Sequence, residues 1–545
     1  MTEAPFTDPK PLPPPPPDEL APGPPSPSAP GPSLARSASI IAVGNIVSRL
    51  LGLGRETTIA YFFGASGLVA AFQAASTIPT MIFDLLVGGM LSAALVPVFS
   101  DYARPDRRRE FGQVVGTVLS VLGLAVAGLV VLVILLAEPL ARLIAGGLSP
   151  ELIEVTAMLL RLMTPAVWFL AIAGVVTGTL FALQRFTFPA FAAAIYNLGI
   201  IVATLAFQER LGIYALAVGV LLGSIFQLLL QAPDLLRARV VLSFGLRHPA
   251  LRRIWLLYLP ILFGLLVSQV QVIIDRRLAS GTGEQSLAWM RDATTLFQLP
   301  HGLVAVAISL AALPSLAQFY AAGNETDFQR TLGRGLRTVL MLITPATVAL
   351  WVLGTPIVQL IFQRGAFLPA DTTAVVLALN IYLIGLIPAS LDWTLNYTFY
   401  ARNDTLTPAI VGVVSVGIYL FFALLLVQPY GFLGLVFADS MKHTGHFILM
   451  WILLRRRLGD LRDLQAGVTA LRTLAASAVM AVSLLLLLTV LQPRLTAGFA
   501  GNLVLVTLAG VLGAAVYLLT VSRLGVQEAG LVVERFTRRL RRRGN

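Results

Sequence analysis

The stretch "SRLLGLGRETTIAYFFGASG", residues 48–67, reads as a hydrophobic helix that nevertheless carries Arg49, Arg55 and Glu56. Insertion scales put the cost of one charge at the centre of a membrane helix at about 2.5–3.5 kcal/mol, so such charges face a water-filled cavity or an internal partner. Arg49 and Glu56 share a helix face within about 20°, whereas Arg55 is rotated away from Arg49. Two interpretations follow: an ion pair that locks this helix, or a basic cavity lining whose arginine forks bind an anionic substrate.

The composition of the chain is that of a polytopic membrane protein. Of its 545 residues 57% are hydrophobic and only 12% are charged, and the mean hydropathy is +0.83. The sequence contains no cysteine, four histidines and no catalytic or nucleotide-binding motif, so we predict neither an enzyme nor a metal site. The net charge of +12 resides mostly in short loops between apolar segments, which argues against a nucleic-acid partner.

Long apolar segments recur from residue 38 onward, and each has about 20 residues or more, enough to span a bilayer. The fourteen segments lie near 38–62, 68–100, 111–137, 152–183, 188–207, 212–236, 254–275, 287–319, 331–353, 372–401, 406–427, 431–454, 468–491 and 501–523. The loops after even-numbered segments hold eighteen arginines and the opposite loops six. By the positive-inside rule, both termini are predicted to be cytoplasmic.

The first twelve segments form two similar halves. "SRLLGLGRE" at 48–56 resembles "SQVQVIIDR" at 268–276, and "LLRAR" at 235–239 resembles "LLRRR" at 453–457. Since six spans restore the original orientation, the halves are predicted to be parallel repeats about an axis along the membrane normal. The expected fold is therefore all-α, with two six-helix lobes and two further helices. The predicted divisions are 1–36, 37–239, 240–458, 459–525 and 526–545.

The two terminal divisions differ from the apolar body. Residues 1–35 contain fourteen of the 33 prolines, so 1–36 is predicted to be a disordered cytoplasmic tail. The segment 526–545 ends in "RRLRRRGN" and is predicted to be a basic amphipathic helix on the anionic cytoplasmic leaflet.

Several other charges lie within apolar segments, and each has two interpretations. Asp84 either contacts the substrate or pairs with Arg49 or Arg55. Asp275 either binds a coupling cation or proton, or pairs with one of the two arginines that follow it. Arg291 either contributes to the basic lining or pairs with its neighbour Asp292.

A polar stripe is predicted on the twelfth segment. Asp439, Lys442, His443 and His446 fall at i, i+3, i+4 and i+7, so they share one helix face. They predict either a proton relay, with Asp439 as a second ion-coupling candidate, or a polar seam between helices.

The segments "SRLLGLGRETTIAYFFGAS", "IPTMIFDLLVGGMLSAALVPVFSDY", "LPHGLVAVAISLAALPSLAQFYAAGN" and "TFYARNDTLTPAIV" resemble those of the MurJ/MviN lipid II flippases, in the multidrug/oligosaccharidyl-lipid/polysaccharide exporter superfamily. The resemblance covers residues 38–523. It implies a V-shaped pair of lobes and a cationic central cavity that accepts the lipid II diphosphate, with Arg49 and Arg55 as the two cavity arginines of helix 1. It also implies delivery of lipid II to the outer leaflet for peptidoglycan synthesis.

The chain departs from the family pattern at several positions. Ala70 stands where an acid is common, Gly88 where a glutamate is common, and Thr295 where an arginine is expected; Arg291 lies one turn before Thr295. The expected function is lipid II flipping by alternating access in the bacterial plasma membrane. The alternatives are export of another polyprenyl-linked saccharide or an amphipathic compound and, less favoured, a membrane glycosyltransferase or a scaffold.

The expected partners are an undecaprenyl-diphosphate-linked lipid and the membrane, with cell-wall synthesis proteins as further candidates. No cofactor is expected other than a coupling cation or the membrane potential. The candidate substrate-binding residues are Arg49, Arg55, Glu56, Asp84 and Arg291, and the candidate ion-coupling residues are Asp275 and Asp439.

Overall fold

The structure is a computed structural model that describes residues 32–88, 90, 94–459, 464–495, 498–526 and 528–530. The proline-rich residues 1–31 and the basic residues 531–545 lie outside the described residues, so the predictions for these tails stay predictions. Helix α1 begins at Pro32 and thus reaches back into the segment 1–36 that we predicted to be disordered. Proline is favoured at the first position of a helix, where its missing N–H has no intrahelical partner in any case.

The first half of the chain folds into nine α-helices, with a short π-helical segment, 84–88, after the second. These helices are α1 Pro32–Phe63, α2 Gly67–Phe83, α3 Val96–Tyr102, α4 Arg108–Leu135, α5 Ala137–Ala145, α6 Pro150–Met163, α7 Pro165–Ala182, α8 Thr187–Leu211 and α9 Tyr214–Arg237. α6 and α7 together form one apolar span, interrupted at Pro165.

The second half repeats this order, with a π-helical segment at 301–305. Its helices are α10 Pro249–Ser280, α11 Ser286–Pro300, α12 Val306–Ala321, α13 Glu325–Val352, α14 Gly354–Ile361, α15 Pro369–Ala401, α16 Leu406–Tyr430 and α17 Phe432–Leu458. Two further helices, α18 Ala466–Leu491 and α19 Phe499–Arg523, pack on each other and reach the second half through α13 and α14.

The two halves correspond element by element. α4 and α13 each have 28 residues and begin 217 residues apart, and α8 and α16 each have 25 residues and begin 219 apart. Equivalent helix pairs pack together in both halves. α1 packs on α8 as α10 packs on α16, and α7 packs on α9 as α15 packs on α17. The predicted two-lobed helical repeat is therefore confirmed. We call the lobe of α1–α9 the N-lobe and that of α10–α17 the C-lobe.

Eleven helices within the described residues are long and apolar enough to cross a membrane, and α10, which is bent by 57°, would be a twelfth. Helices occupy all fourteen predicted segments, but α1 and α17, which carry many of the polar groups described below, are not among the eleven. The chain is a multi-pass membrane protein, whereas fourteen as the number of spans stays a prediction.

The lobes meet closely at one end of the bundle, which we call the closed end. There the Ala366 N–H donates to the Tyr61 carbonyl at 2.9 Å, and the Gly147 N–H donates to the Ser280 hydroxyl at 3.2 Å. A Cβ at Gly64 would collide with the Ala366 carbonyl, so only glycine allows this approach. These contacts join the end of α1 to the segment between α14 and α15, and the end of α10 to the segment between α5 and α6.

Matching glycines end α8 and α16, with φ/ψ of 54°/−134° at Gly212 and 57°/−137° at Gly431. L-residues avoid this region, at a cost of about 1–3 kcal/mol. We therefore expect Gly212→Ala and Gly431→Ala each to lower the melting temperature of the purified protein, measured in detergent. A Cβ at Gly212 meets nothing within 4 Å, so the loss arises from the backbone and not from a clash.

The matched control is Gly417→Ala within α16, where a Cβ also meets nothing within 4 Å. Alanine is favoured over glycine inside a helix by about 0.5–1 kcal/mol, so no loss of stability is expected there. Equal melting temperatures for all three variants would contradict the backbone explanation.

Candidate functional site

The charges of α1 meet at the boundary between the lobes. The Glu56 side chain is only 3% exposed, and its Oε1 accepts a hydrogen bond from Nη2 of Arg55 at 2.5 Å. A buried carboxylate without a partner would be strongly destabilising. Arg55 therefore has a structural task, as one of our two interpretations of this stretch proposed.

The second partner of Glu56 comes from the other lobe. Arg291 on α11 donates to the same Oε1 from Nη2 at 2.9 Å and from Nε at 3.2 Å. The interpretation of Arg291 as the partner of Asp292 is wrong, since Glu56 is its only ion-pair partner among the described residues. From the sequence, an ion pair between neighbours on one helix was the simplest expectation. Arg291 pairs with Glu56 instead, because the buried Glu56 carboxylate requires a compensating positive charge.

Arg55 is held further by a residue that sequence reasoning missed. Its Nη1 donates to Oδ1 of Asn197 on α8 at 3.0 Å, and Nδ2 of Asn197 donates to the Ser48 carbonyl at 3.2 Å. Asn197 was detectable as an amide in the middle of an apolar helix. These contacts fix the orientation of Arg55 from two directions.

Arg49 is different, because none of its partners carries a charge. Its Nη1 donates to the Gln298 carbonyl at 3.3 Å, and its guanidinium lies against Gly302, where any Cβ would overlap it. Among the described residues no carboxylate lies within ion-pair distance of Arg49, which is partly exposed. It is therefore the cation of α1 that is free to bind an anion.

These residues surround a small cavity of about 120 Å³ between α1 and α11. Its lining consists of Arg49, Gly52, Leu53, Arg55, Glu56, Arg291, Thr295, Gln298 and Leu299. Three arginines and one glutamate leave the lining positive. Ligand sites commonly enclose about 300–1,000 Å³, so the lobes must separate before this cavity can admit a large substrate.

The three residues that depart from the family pattern lie in different parts of the structure. Thr295 lines the cavity beside Arg291, so this part of the wall keeps a guanidinium although the expected arginine is absent. Ala70 is fully buried in the core of the N-lobe and does not reach the cavity. Gly88 ends the π-helical segment after α2.

Asp84 begins the π-helical segment and is partly buried. Within the described part of the chain it forms no ion pair with Arg49 or Arg55, and it does not line the cavity. The predicted pairing of Asp84 with either arginine is therefore wrong, and its contact with substrate stays a prediction.

The ion-coupling candidates lie together inside the C-lobe. Oδ1 of Asp275 accepts from the Tyr419 hydroxyl at 2.5 Å, and Oδ1 of Asp439 accepts from the Lys442 ammonium at 2.5 Å. No salt bridge within 4 Å joins Asp275 to Arg276 or Arg277 among the described residues, although Arg276 interacts electrostatically with Asp275. The cluster thus contains two carboxylates and one lysine, with Arg276 beside it.

The rest of the polar stripe on α17 joins helices. Nδ1 of His446 lies 2.7 Å from Oδ1 of Asp392 on α15, and Asn396 donates to the other oxygen of Asp392 at 2.8 Å. This geometry is that of a polar seam between helices. In the described part of the chain, no group of three His, Cys, Asp or Glu side chains is placed to hold a metal ion.

Aromatic rings connect this seam with the cavity. The Phe297 ring lies between His301, at a centroid distance of 5.6 Å, and His443, at 6.2 Å. His443 lies 3.6 Å from Asp439. The Trp393 indole N–H donates to Nε2 of His301 at 3.0 Å, and Nδ1 of His301 lies 3.2 Å from the Ser390 hydroxyl. α11 therefore contacts both the cavity and the buried polar cluster.

Comparison with known proteins gives a consistent result. A family model described as "Lipid II flippase MurJ" matches residues 59–507. The lipid II flippase MurJ of Burkholderia cenocepacia is 30% identical over 440 residues, 78% of this chain and 84% of that protein. The probable lipid II flippase MurJ of Haemophilus influenzae is 28% identical over 426 residues, 74% and 83% of the two chains.

Solved structures show the same fold. A lipid II flippase MurJ in an inward closed conformation matches with a TM-score of 0.75 and 23% identity, over 89% of this chain and 98% of that one. An inward-facing multidrug resistance transporter of the MATE family matches with a TM-score of 0.66 and 16% identity, over 76% and 96%.

Glu56 and Arg291, which form the buried bridge between the lobes, should be energetically coupled. We expect Glu56→Gln and Arg291→Gln each to lower the melting temperature, and the double variant to lose less than their sum. Contacting residues typically show coupling energies of about 0.5–3 kcal/mol. The measurement is a double-mutant cycle of thermal melting in detergent.

The matched control is the Glu138–Arg142 pair, which has a similar N···O distance of 2.7 Å but is largely exposed, at 57% and 69%. Exposed i,i+4 pairs contribute about 0.3–0.5 kcal/mol, so its cycle should show little coupling. Additive losses at Glu56 and Arg291 would show that the bridge does not hold the lobes together.

Proposed function

The chain belongs to the MurJ family of lipid II flippases, and from this premise we propose that it carries lipid II from the cytoplasmic to the outer leaflet by alternating access. Its relatives in Burkholderia cenocepacia and Haemophilus influenzae are named for this substrate. The two homologous lobes, joined by contacts at one end and enclosing a positive cavity, are the architecture that rocking about a central site requires.

The observation that carries the proposal is the free guanidinium of Arg49 inside this cavity. Arginine stays charged, and its planar fork binds phosphate oxygens in pairs. Lipid II presents a dianionic diphosphate, which matches a lining of three arginines and one glutamate. Arg49 is thus proposed to make the first contact with the diphosphate.

Glu56 is proposed to couple binding to lobe movement. In the closed arrangement, Oε1 of Glu56 accepts hydrogen bonds from both Arg55 and Arg291. A diphosphate in the cavity competes with Glu56 for these donors and weakens the bridge between the lobes. Substrate binding thus favours separation of α1 from α11.

The arginine distribution supports the orientation that we propose, with both termini in the cytoplasm of a bacterium and the protein in its plasma membrane. In this orientation the closed end faces outward. The cavity then receives the substrate from the cytoplasmic side and releases it once the closed end opens.

We also propose that the cluster of Asp275, Tyr419, Asp439 and Lys442 takes up the coupling cation or proton. Asp275 and Asp439 share this region with Lys442, and Arg276 also interacts electrostatically with Asp275. A movement of the lobes that takes a positive charge away from a buried carboxylate favours uptake of a monovalent cation or proton there, because an uncompensated buried charge is costly. Phe297 connects the cluster to the cavity side of α11. Transport driven by the membrane potential alone is the alternative.

Removal of Arg49 should abolish transport without unfolding the protein. In proteoliposomes with labelled lipid II, we expect Arg49→Ala to reduce transbilayer movement at least tenfold, since a hydrogen bond to a charged group is worth about 1.5–3 kcal/mol. Arg49→Lys should retain part of the activity, because it keeps the charge and loses the fork. Arg55→Ala should lose transport and also melt at lower temperature, since Glu56 and Asn197 lose a partner.

Arg210→Ala is the matched control, because Arg210 is an exposed arginine at the end of α8, away from the cavity. Its transport should equal that of the wild type. Wild-type movement in Arg49→Ala would refute the assigned contact. No movement of lipid II by the folded wild type, under any imposed gradient, would overturn lipid II as the substrate.

Removal of the Asp275 carboxylate should uncouple transport from the driving ion. We expect wild-type movement of lipid II to increase under an imposed cation or proton gradient, and Asp275→Asn to lose this increase while it still binds lipid II. The control is Asp392→Asn, which alters a half-buried carboxylate of the seam outside the cluster. An undiminished gradient response in Asp275→Asn would favour the membrane potential alone.

A further inference from the structure

A second and larger cavity of about 660 Å³ lies at the closed end, apart from the cavity between α1 and α11. It is formed by α5, one face of α6 from its first to its last turn, and the end of α10. Arg142 and Arg161 come from the N-lobe and Arg277 from the C-lobe, so both lobes contribute to this cleft. None of these residues has a part in the function proposed above.

Two of the three arginines have no protein partner. Arg142 pairs with Glu138 at 2.7 Å. Among the described residues, neither the Arg161 nor the Arg277 guanidinium has a hydrogen-bond or ion-pair partner, although both line the cleft. The Arg277 guanidinium rests on the backbone at Gly146, where an added Cβ would lie 3.3 Å from its Cζ.

Arg161 is an expensive residue at its position. It lies eleven residues into the apolar span Pro150–Ala182, where an arginine costs up to about 2.5–3.5 kcal/mol on insertion scales. Glu154 lies on the same helix face but forms no ion pair with Arg161 within the described residues. The positive charge of Arg161 therefore does not compensate a neighbouring carboxylate.

Comparison of the two lobes shows that the fold does not require this charge either. α6 and α15 begin 219 residues apart, so Arg161 and Glu154 correspond to Asn380 and Thr373. The equivalent face of α15 thus has no charged residue at either position, although its helix packs in the same way. The basic cleft is a property of the N-lobe and its contact with α10.

We propose that this cleft binds a phosphate group, which Arg161 and Arg277 hold between the lobes. Two unpaired guanidinium groups facing one cavity are the arrangement that proteins use for phosphate. Because the cleft begins at the closed end and extends along α6 to Arg161, the group comes from a phospholipid headgroup or from free phosphate. A phosphate that joins α6 to α10 favours the closed arrangement of this end.

The test is thermal melting of the full-length protein in a phosphate-free maltoside detergent. The probes are dihexanoyl phosphatidylglycerol, inorganic phosphate and, as a neutral control, dihexanoylglycerol. We expect at least one of the two phosphate probes to raise the wild-type melting temperature, and the neutral lipid to have no effect. In Arg161→Gln and Arg277→Gln the half-maximal concentration should rise at least about tenfold, as for loss of a charged hydrogen bond.

The matched control is Arg210→Gln, an exposed arginine at the same end and outside the cleft, which should respond like the wild type. If inorganic phosphate raises the melting temperature, a free anion is sufficient to bind the cleft. If only the phospholipid raises it, the ligand is a lipid headgroup. Either result supports the site. Absence of any response, or equal responses in wild type, Arg161→Gln and Arg277→Gln, would overturn it.

Intact-mass measurement of the detergent complexes provides an independent reading that does not depend on stability. The wild type should retain one more phosphate-bearing lipid or phosphate ion than a variant that carries both Arg161→Gln and Arg277→Gln, at the same concentration. Equal stoichiometry would count against the site. Both measurements are made without lipid II, so their outcome is separate from that of the flipping experiment.

Discussion

The carboxylate of Glu56 is the constraint on which the centre of the molecule depends. A charge taken out of water must be compensated nearby, and here two arginines from different lobes provide the compensation. This need brings α11 against α1 and orients Arg55 toward Asn197. It also leaves Arg49 as the cation without a charged partner, because the only carboxylate on this face of α1 is already taken.

The two lobes share a scaffold and divide the chemistry between them. Each has a π-helical segment in its second span and a glycine of the same unusual conformation after its fifth. Their polar residues nevertheless differ. The N-lobe supplies the charged face of α1 and most of the basic cleft, whereas the C-lobe contains the buried cluster of Asp275, Tyr419, Asp439 and Lys442.

The departures from the family pattern leave the lining of the cavity positive. Thr295 stands where an arginine was expected, yet Arg291 places its guanidinium on the wall of the same cavity. One helical turn moves a side chain by about 5.4 Å along the axis, a distance that the long arginine side chain can bridge. Ala70, by contrast, belongs to the packed core, so its departure from the pattern does not alter the cavity.

The sequence alone determined where the helices lie, that they form two repeats, and that α1 carries unusual charges. Hydropathy and residue spacing can be read along the chain without knowledge of tertiary contacts. Matching segments near an offset of 220 predicted the two lobes, and charges in an apolar helix predicted a site at Arg49, Arg55 and Glu56. Tertiary structure decided the partners. It joined Glu56 to Arg291, Asp275 to Tyr419 and Arg55 to Asn197, where local spacing had suggested pairs within one helix or none. Such pairs form between groups distant in sequence because each buried charge takes the compensating group that packing brings nearest, and packing is a property of the whole bundle.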